Sequence, residues 1–510
     1  MSAEAQIPGR QPGSPALREL RELVAHHRFT LIALSLVILG SSAGGVAAAN
    51  GPEALLLLGA ICAGAGTLAA AYWLPGLIFA AYLSTPFFKA GLQPFLPIDI
   101  TVILALLCTL QIPLLALPHE RPALRFVTST HVRQALLLWL SLCLLIIVGI
   151  TYAPDTNLAI SSAANWVLLT FLPILGILRL LTKRRFLTQF LWGLVMMGAA
   201  VTVVGVWTLP QVGAWPNDRL RVFGAHTIRV GQAALLLPIV AVPFVFRSSP
   251  PITRLVCLGF IPPAMVVAAS SGSRGPLLML AICSVLFSMR RLILWATGAN
   301  ASPSRIAPLR LLVPAIFLSL VIFLMPLSSI GRFIPQTSAA RLESLSTILT
   351  GIANQDLSDE APDNSTGDRL IAYQFAENIF KGSPVVGKGT SSFVTLVSTE
   401  EPRLIFPEPI EHPHNLVLEM ASEYGMIGLL ILALLSAVAI RRGFRNAQDP
   451  IWNTLTILFV FFLLGSMVST EMFDNRMLWG LTMMLLLSPD PARAGAILPR
   501  PERAQREIPA

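Results

Sequence analysis

Long apolar runs separated by short polar linkers make up most of this 510-residue chain. A membrane-spanning helix needs about 20 mainly apolar residues, and fewer where it is short or re-entrant. The candidate spans that meet this requirement are residues 29–48, 54–73, 75–88, 99–117, 134–151, 162–180, 187–207, 231–246, 255–270, 275–289, 311–328, 414–438, 452–469 and 476–488. The block at 75–88 is short and follows Pro75, so whether it crosses stays open. The pattern predicts an all-α polytopic membrane protein with about 12–14 transmembrane helices.

Composition agrees with a membrane protein and excludes several other classes. The chain is 54% hydrophobic and 12% charged, whereas soluble domains carry about 25% charged residues. The net charge of +9 does not indicate nucleic-acid binding, because most basic residues lie in short linkers between apolar runs. The five cysteines lie inside apolar runs without C-x-x-C spacing, so neither a zinc site nor a disulfide framework is indicated. We expect no cofactor.

The same pattern divides the chain into regions. We expect an N-terminal cytoplasmic tail, eleven spans, a long periplasmic loop, the C-terminal transmembrane helices and a disordered cytoplasmic tail. In that order these regions are residues 1–28, 29–328, 329–413, 414–488 and 489–510.

Basic linkers set the expected orientation. Lys and Arg accumulate in cytoplasmic loops, and five basic linkers fall on one side when the spans alternate. These linkers are residues 118–133, 182–185, 247–254, 290–305 and 441–445. Both termini are then cytoplasmic, and the loop 329–413 faces outward into the periplasm or the extracellular space.

Four arginines lie on the outer side, where the topology rule gives no reason for them. They are Arg219, Arg221, Arg229 and Arg274. Either they meet lipid phosphates as ordinary loop charges, or they hold an anion at the outer membrane surface.

The sequence of the loop 329–413 predicts secondary structure within the loop. Residues 368–382 alternate apolar and polar positions with helical period and end in Lys-Gly, a signal for a helix C-terminus. Residues 383–393 then indicate a Gly-rich turn. A connection of this length with its own helix is usually functional, as a lid or a substrate platform.

The segment 411–430 places polar side chains at the outer start of an apolar helix. We expect Pro413 at the first helical position. Asn415, Glu419 and Glu423 are spaced four residues apart, so we expect them on one face of the helix. Gly425 and Gly428 would admit another helix at close range. The polar side chains are His412, His414, Asn415, Glu419 and Glu423.

Two interpretations of these polar residues stay open at this point. The histidines can be interfacial anchors and the glutamates ordinary N-terminal charges, which a helix dipole favours by about 0.3–1 kcal/mol. Alternatively, a histidine takes a proton from a hydroxyl, and a carboxylate such as Glu423 orients its ring. Outer arginines suit a diphosphate, since guanidinium matches phosphate geometry and stays charged. No D-x-D cation site is evident.

A transporter of an anionic solute is the competing class. It would use the same arginines and histidines as a pathway, with charges at mid-membrane depth on broken helices. The candidate residues instead cluster at the outer ends of the spans, and no internal repeat is visible.

Three segments resemble the O-antigen ligase/polymerase superfamily, the WaaL- and Wzy-type membrane glycosyltransferases with a Wzy_C-like region. They are "SGSRGPLLML" (271–280), "DRLIAYQFAENIFKGSPVVGKGTSSF" (368–393) and "HPHNLVLEMASEYGMIGLL" (412–430). A looser element, "RVFGAHTIRVG" (221–231), is similar to an earlier Arg-x-x-Gly motif. With the spans, the resemblance covers most of residues 29–488.

The resemblance implies a GT-C-like helical fold in the bacterial inner membrane. It also implies metal-independent, inverting transfer of a glycan from undecaprenyl diphosphate to an acceptor hydroxyl on the periplasmic side. Carried over by motif position, His414 is the general base, Arg274 and Arg221 bind the diphosphate, and Arg369 holds donor or acceptor. Neighbouring positions with less firm roles are His412, Arg219, Arg229 and Asn415.

Members of the superfamily differ in the acceptor. A ligase uses a sugar of the lipid A-core, a polymerase uses another lipid-linked glycan, and a protein O-oligosaccharyltransferase uses Ser or Thr. The motifs are shared by all three, so the resemblance leaves the acceptor open. In each case the expected partners are lipid-linked glycans and membrane lipids, with no nucleic acid.

Overall fold

A computed structural model describes residues 69–96, 98–117, 129–210, 220–246, 249–296, 364–400, 412–469 and 472–489. The chain divides into two units, Met1–Pro75 and Gly76–Ala510. The described residues are helical and contain no strand, which confirms the all-α class. The expected spans 29–48 and 311–328, most of 54–73, both expected tails and parts of the long loop lie outside the described residues.

The described α-helices are numbered here in chain order. The first eight are α1 Pro75–Leu83, α2 Lys89–Leu92, α3 Ile100–Thr109, α4 Gln111–Leu114, α5 Thr130–Gly149, α6 Thr156–Trp166, α7 Leu172–Leu175 and α8 Ile177–Leu180. The next nine are α9 Arg184–Thr208, α10 Thr227–Val240, α11 Pro251–Ser270, α12 Arg274–Ala296, α13 Asn364–Gly382, α14 Ser392–Glu400, α15 Leu416–Arg445, α16 Pro450–Ser469 and α17 Arg476–Leu486. Short 3₁₀ turns occupy Thr85–Phe87, Gln93–Phe95 and Ile150–Tyr152, and π-helical turns occupy Val167–Phe171 and Ala241–Val245.

Seven helical stretches in the described part of the chain are long and apolar enough to cross a membrane. They are Thr130–Tyr152, Thr156–Leu180, Arg184–Thr208, Thr227–Val245, Pro251–Ser270, Leu416–Arg445 and Pro450–Val468. Each overlaps one expected span, so the chain is a multi-pass membrane protein. Three further expected spans correspond to shorter apolar helices, at Ile100–Leu114, Gly275–Arg290 and Arg476–Leu486.

The block at 75–88 does not form one continuous helix. Helix α1 has nine residues and gives way to a 3₁₀ turn with Pro86. Nine residues rise about 14 Å, roughly half of the ~30 Å hydrocarbon core, so α1 alone is too short to cross.

Contacts across the bundle define two ends. At one end the Met472 amide donates to the Glu419 carboxylate at 2.8 Å, and the Thr390 amide donates to the Gly149 carbonyl at 3.2 Å. This end also contains His414, and we call it the histidine end. Since α5 runs towards this end and α15 runs away from it, the helices alternate in direction as the topology analysis expects.

The opposite end is closed by basic side chains. Arg184 pairs with Asp449, and Arg290 donates to the Phe444 carbonyl at 3.0 Å with its guanidinium over the Phe444 ring. We call this the arginine end. The residues in these contacts lie in or beside three basic linkers of the topology analysis, at 182–185, 290–305 and 441–445. The expected location of this end in the cytoplasm remains a prediction.

Helix α17 lies in the middle of the bundle. All eleven of its residues are buried. Trp479 on this helix lies 6.0 Å from Trp139 of α5, whose ring stacks on Phe171 and contacts Trp166. These rings join α5, α6 and α17 into one aromatic core, which holds the short helix among longer ones.

Helix α15 is broken at Gly425. This glycine has φ 62° and ψ −152°, a region that only glycine adopts without strain. Regular α-helical bonding would join the amides of residues 426 and 427 to the carbonyls of residues 422 and 423. The break opens both of these bonds inside a membrane helix, where unpaired backbone groups cost several kcal/mol each.

A turn from the long loop supplies the missing partners. Residues 384–389 lie against the break and satisfy both the open amides and the open carbonyls. The four bonds run from Met426 N to Pro384 O (2.8 Å), Ile427 N to Val385 O (3.3 Å), Lys388 N to Ser422 O (3.0 Å) and Gly389 N to Glu423 O (2.8 Å).

Glycine is required on both sides of this contact. A Cβ at Gly425 would lie 2.5 Å from the Val385 carbonyl oxygen, and one at Gly387 would lie 2.3 Å from the Glu423 carbonyl carbon. The expectation that Gly425 admits a second helix is therefore wrong, because the backbone of a loop turn occupies that space. The Gly-rich turn and the loop helix expected from the sequence are both present, the latter as α13.

We predict that Gly425→Ala destabilises the protein by about 2–5 kcal/mol, combining a strained backbone with overpacking against Val385. The measurement is the thermal unfolding temperature of the purified protein in detergent. Gly259→Ala is the matched control, because a Cβ at Gly259 meets nothing within 4 Å. Equal unfolding temperatures for the two variants would show that the turn does not depend on Gly425.

Candidate functional site

The start of α15 holds His414 in an unusual backbone conformation. Helix α15 begins at Leu416, with Asn415 as its N-cap, so the expectation that Pro413 starts the helix is wrong. The Asn415 side-chain oxygen accepts from the Val417 amide at 2.9 Å. His414 has φ 53°, a left-handed conformation that costs a non-glycine residue roughly 1–2 kcal/mol.

This geometry separates the roles of the polar residues in the segment. Asn415 caps the helix, and its side-chain oxygen accepts from the backbone amides of the first turn. It therefore does not share one helix face with Glu419 and Glu423, although the spacing predicted that it would. His414 stands above the first turn of α15. Glu419 is 2% exposed and accepts from Met472, which ties α15 to the residues preceding α17.

The two histidines are in direct contact. Their ring centroids lie 4.3 Å apart with the planes at 70°. Burial, and after it the Arg229 guanidinium, lowers the pKa of His412 to about 4. Burial, and after it His412, Arg369 and His226, lowers the pKa of His414 to about 3. Both rings are therefore neutral at pH 7 and have a lone pair for a proton.

His226 extends the same cluster. Burial, followed by the charges of Arg221, Arg229 and Arg369, lowers its pKa. His226 precedes α10, after a turn in which Phe223 and Gly224 both have positive φ. The 221–231 element thus lies at the same site as the 412–430 segment, about 190 residues away along the chain.

Arg369 reaches the site through the loop helix α13. One face of α13 presents Ala372, Ala376 and Ile379, which form a small apolar cluster with Phe393 of α14. Leu418, in the first turn of α15, packs against this cluster. Arg369 lies about one turn before this cluster on α13. It is near enough to His414 for its charge to lower the pKa of that histidine.

An acidic residue that the sequence analysis did not single out lies between two arginines. Asp474 contacts Arg229 at 3.3 Å and Arg476 at 3.0 Å. Arg476 starts α17 and is 8% exposed. The sequence did offer one indication of this pair, because Asp474 and Arg476 are two residues apart at the start of an apolar helix.

Glu423 contacts a different part of the structure. It is 3% exposed, its main-chain oxygen accepts from Gly389, and its charge acts on Tyr152 and Tyr424. These contacts place it at the helix break. Its expected role beside His414 remains a prediction.

The side chains of two of the expected arginines, Arg219 and Arg274, lie outside the described residues. Arg274 begins α12, directly after the turn at Gly272, and its side chain lies outside the described residues. The Leu220 amide bonds to the Ser270 carbonyl at 3.2 Å, so the 271–274 turn lies beside the 221–231 element. Arg219 lies outside the described residues. Within the described ranges, no three His, Cys, Asp or Glu side chains converge as they would around a metal ion.

Comparison with known proteins finds a family match to part of this chain. Residues 258–433 match the family model Wzy_C, described as O-Antigen ligase. The matched range contains Arg369, His412 and His414, and it excludes Arg221 and Asp474. No curated protein and no solved structure matches significantly.

The depressed histidine pKa values predict a specific pH dependence of stability. The folded protein binds protons at His412 and His414 more weakly than the unfolded chain, whose histidines titrate near 6.5. Stability is therefore full above about pH 6.5 and is lost as the pH falls towards 4 and 3. At pH 5 the loss reaches about 2 kcal/mol per histidine as an upper bound.

The measurement compares unfolding temperatures at pH 7.5 and pH 5 for wild type, His414→Gln and His412→Gln/His414→Gln. We expect the temperature difference between the two pH values to shrink with each histidine removed. The same difference in all three proteins would contradict the buried, neutral state of the pair.

Proposed function

We propose, from the membership of residues 258–433 in the O-antigen ligase family, that this chain transfers a glycan from undecaprenyl diphosphate to an acceptor hydroxyl. The family match supports a glycosyltransferase-type enzyme of the O-antigen ligase/polymerase superfamily acting on lipid-linked glycans. The observation that carries the residue-level proposal is the contact between neutral His412 and His414 within the electrostatic reach of Arg229 and Arg369.

In the proposed reaction His414 acts as the general base. Its lone pair takes the proton from the acceptor hydroxyl, and the hydroxyl oxygen attacks the anomeric carbon of the donor. The bond from that carbon to the diphosphate oxygen breaks, and the electron pair leaves on the diphosphate. The products are the new glycoside and undecaprenyl diphosphate, and attack opposite the leaving group inverts the anomeric configuration.

The donor itself would adjust the base. A pKa near 3 makes His414 a weak base in the free protein, and base catalysis is most efficient when the pKa is near the working pH. Arg369 contributes to that low value. A bound diphosphate beside Arg369 would offset this charge and raise the pKa of His414, so the base would become effective once the donor is present.

The arginines are not equivalent in this proposal. Arg229 is already paired with Asp474, which offsets part of its charge. Arg221 and Arg369 both act on His226 and flank the histidines from different elements. We therefore assign the diphosphate to Arg221, Arg369 and Arg274, and assign Arg229 a supporting role beside His412.

We predict that His414→Ala and Arg369→Ala each reduce glycan transfer by about 10²–10⁴-fold, the range lost when a positioned base or charge is removed. The assay is transfer from purified lipid-linked glycan to acceptor, with unfolding temperature as a check on folding. Arg133→Ala is the matched control, because Arg133 is exposed at the opposite end of the bundle. Normal transfer by both site variants would overturn the proposal.

The acceptor is tested by deleting the gene and analysing lipid-linked glycans. If the enzyme is a ligase, long glycan accumulates on undecaprenyl diphosphate, because polymerisation proceeds and attachment fails. If it is a polymerase, single repeat units accumulate instead. Normal surface glycan together with under-glycosylated protein would indicate a protein O-oligosaccharyltransferase.

A further inference from the structure

Apolar side chains are exposed at the tip of the loop turn that packs on the helix break. Pro384, Val385 and Val386 are all exposed, and the exposed fractions of the two valines are 61% and 44%. Turns are usually built from Gly, Pro, Asn, Asp and Ser, and two adjacent exposed valines depart from that composition. Contiguous exposed apolar surface marks a contact with another protein or with a membrane.

The exposed tip adjoins the exposed side of α15. The first two residues after the break, Met426 and Ile427, donate their amides to the turn. Both side chains are exposed, as are those of Leu430 and Leu434 further along the helix. In a helix that crosses a membrane, exposed apolar side chains contact lipid. The tip of the turn therefore continues the lipid-facing surface of α15.

The length of α15 indicates the depth of the turn in the membrane. Between the break and Arg441, residues 426–440 form an uncharged run of 15 residues, which rises about 22 Å. The hydrocarbon core is ~30 Å thick, so a core that begins at Arg441 extends past the break. If the arginines snorkel and the core begins at Arg445, the 20 residues back to Met426 span about 30 Å. In both cases the core reaches the break.

Helix α5 gives the same depth independently. After Arg133, residues 134–149 are uncharged and rise about 24 Å. At the far end of this run, the Gly149 carbonyl accepts from the Thr390 amide, directly after the turn. Tyr152 follows and is exposed, and tyrosine is enriched where a membrane meets water. Two helices therefore place the turn at the edge of the hydrocarbon core.

The backbone of the turn suits a place without water. The four successive carbonyls of residues 384–387 all accept hydrogen bonds from the protein. In chain order their donors are the Met426 amide, the Ile427 amide, the Tyr152 hydroxyl at 2.9 Å and the Ser383 hydroxyl at 2.6 Å. In water such carbonyls could bond to solvent, whereas in lipid they have no other partner.

We propose that the tip at 384–386 is inserted into the hydrocarbon edge of the leaflet at the histidine end, with lipid acyl chains as its partner. Lys388 is exposed two residues after the tip, where a lysine stem lies along apolar surface and its ammonium reaches the lipid phosphates. Helix α13 ends at Gly382, directly before the turn, so the insertion fixes the height of Arg369 above the membrane. This inference does not depend on the reaction proposed for the site.

The first experiment measures depth with spin labels on the full chain in phospholipid nanodiscs. The five native cysteines are replaced by alanine, and single labels are attached at Val386→Cys, Glu377→Cys or Leu434→Cys. Glu377 is exposed on α13 and is the reference for water, and Leu434 is exposed on α15 and is the reference for lipid. Accessibility to oxygen, which concentrates in lipid, is compared with accessibility to a water-soluble nickel chelate.

We expect the label at Val386 to resemble the label at Leu434, with oxygen favoured over the nickel chelate. Nickel accessibility as high as that of the Glu377 label would overturn the proposal, because the tip would then lie in water. Protection from both reagents would also overturn it, since a second copy or another segment of this chain would then cover the tip.

A photocrosslinker gives a second readout that does not need a cysteine-free protein. The amino acid p-benzoylphenylalanine, which reacts with nearby C–H bonds on illumination, is incorporated in place of Val386 or, as the control, of Glu377. We expect lipid adducts by mass spectrometry at position 386 and few at position 377. Crosslinks from position 386 to protein alone, or equal lipid adducts at the two positions, would contradict the insertion of the tip.

Discussion

At Gly425, backbone hydrogen bonds to the loop replace bonds within helix α15, and they connect the loop to the membrane bundle. A helix broken inside a membrane must find other partners for its open amides and carbonyls, because lipid supplies none. The turn at 384–389 offers two carbonyls and two amides in matching order, and it forms four bonds with α15. At the break itself, loop and bundle are therefore held together through backbone groups, and the glycines are the side-chain requirement of these four bonds.

This attachment determines where the loop can present its charges. Tyr152 donates to the Val386 carbonyl at 2.9 Å, and the Thr390 hydroxyl donates to the Ile146 carbonyl at 2.7 Å, so the turn is fixed to α5 as well. Helix α13 ends at the turn and contacts the first turn of α15 through its apolar face. Arg369 consequently approaches His414 from a helix that is packed against α15, while the 221–231 segment approaches it from the start of α10. The parts of the candidate site are therefore anchored separately, each by its own element.

The apolar runs predicted the seven long and three shorter apolar helices found among the described residues, and the Lys-Gly signal predicted the C-terminal end of α13. The 412–430 segment could be singled out as a candidate site because local polarity interrupts an apolar pattern there. The break at Gly425 was not predictable, since one glycine in an apolar run equally indicates close helix packing. Nor was the contact of Asp474 with Arg229, which joins residues 245 positions apart. Periodicity reports the environment of a residue along its own helix, whereas these contacts depend on which helices become neighbours.

Asp474 shows why the site does not consist of cations alone. Both the donor and the released undecaprenyl diphosphate of the proposed reaction are anions, so arginines that bind one strongly also retain the other. Equal stabilisation of bound ground state and transition state does not accelerate chemistry. By pairing with Arg229 and Arg476, Asp474 lowers the net positive charge beside His412 while both guanidinium groups remain in place. In the proposed reaction, this partial compensation would leave charge for binding a diphosphate and would weaken retention of the released product, while burial keeps the histidines neutral.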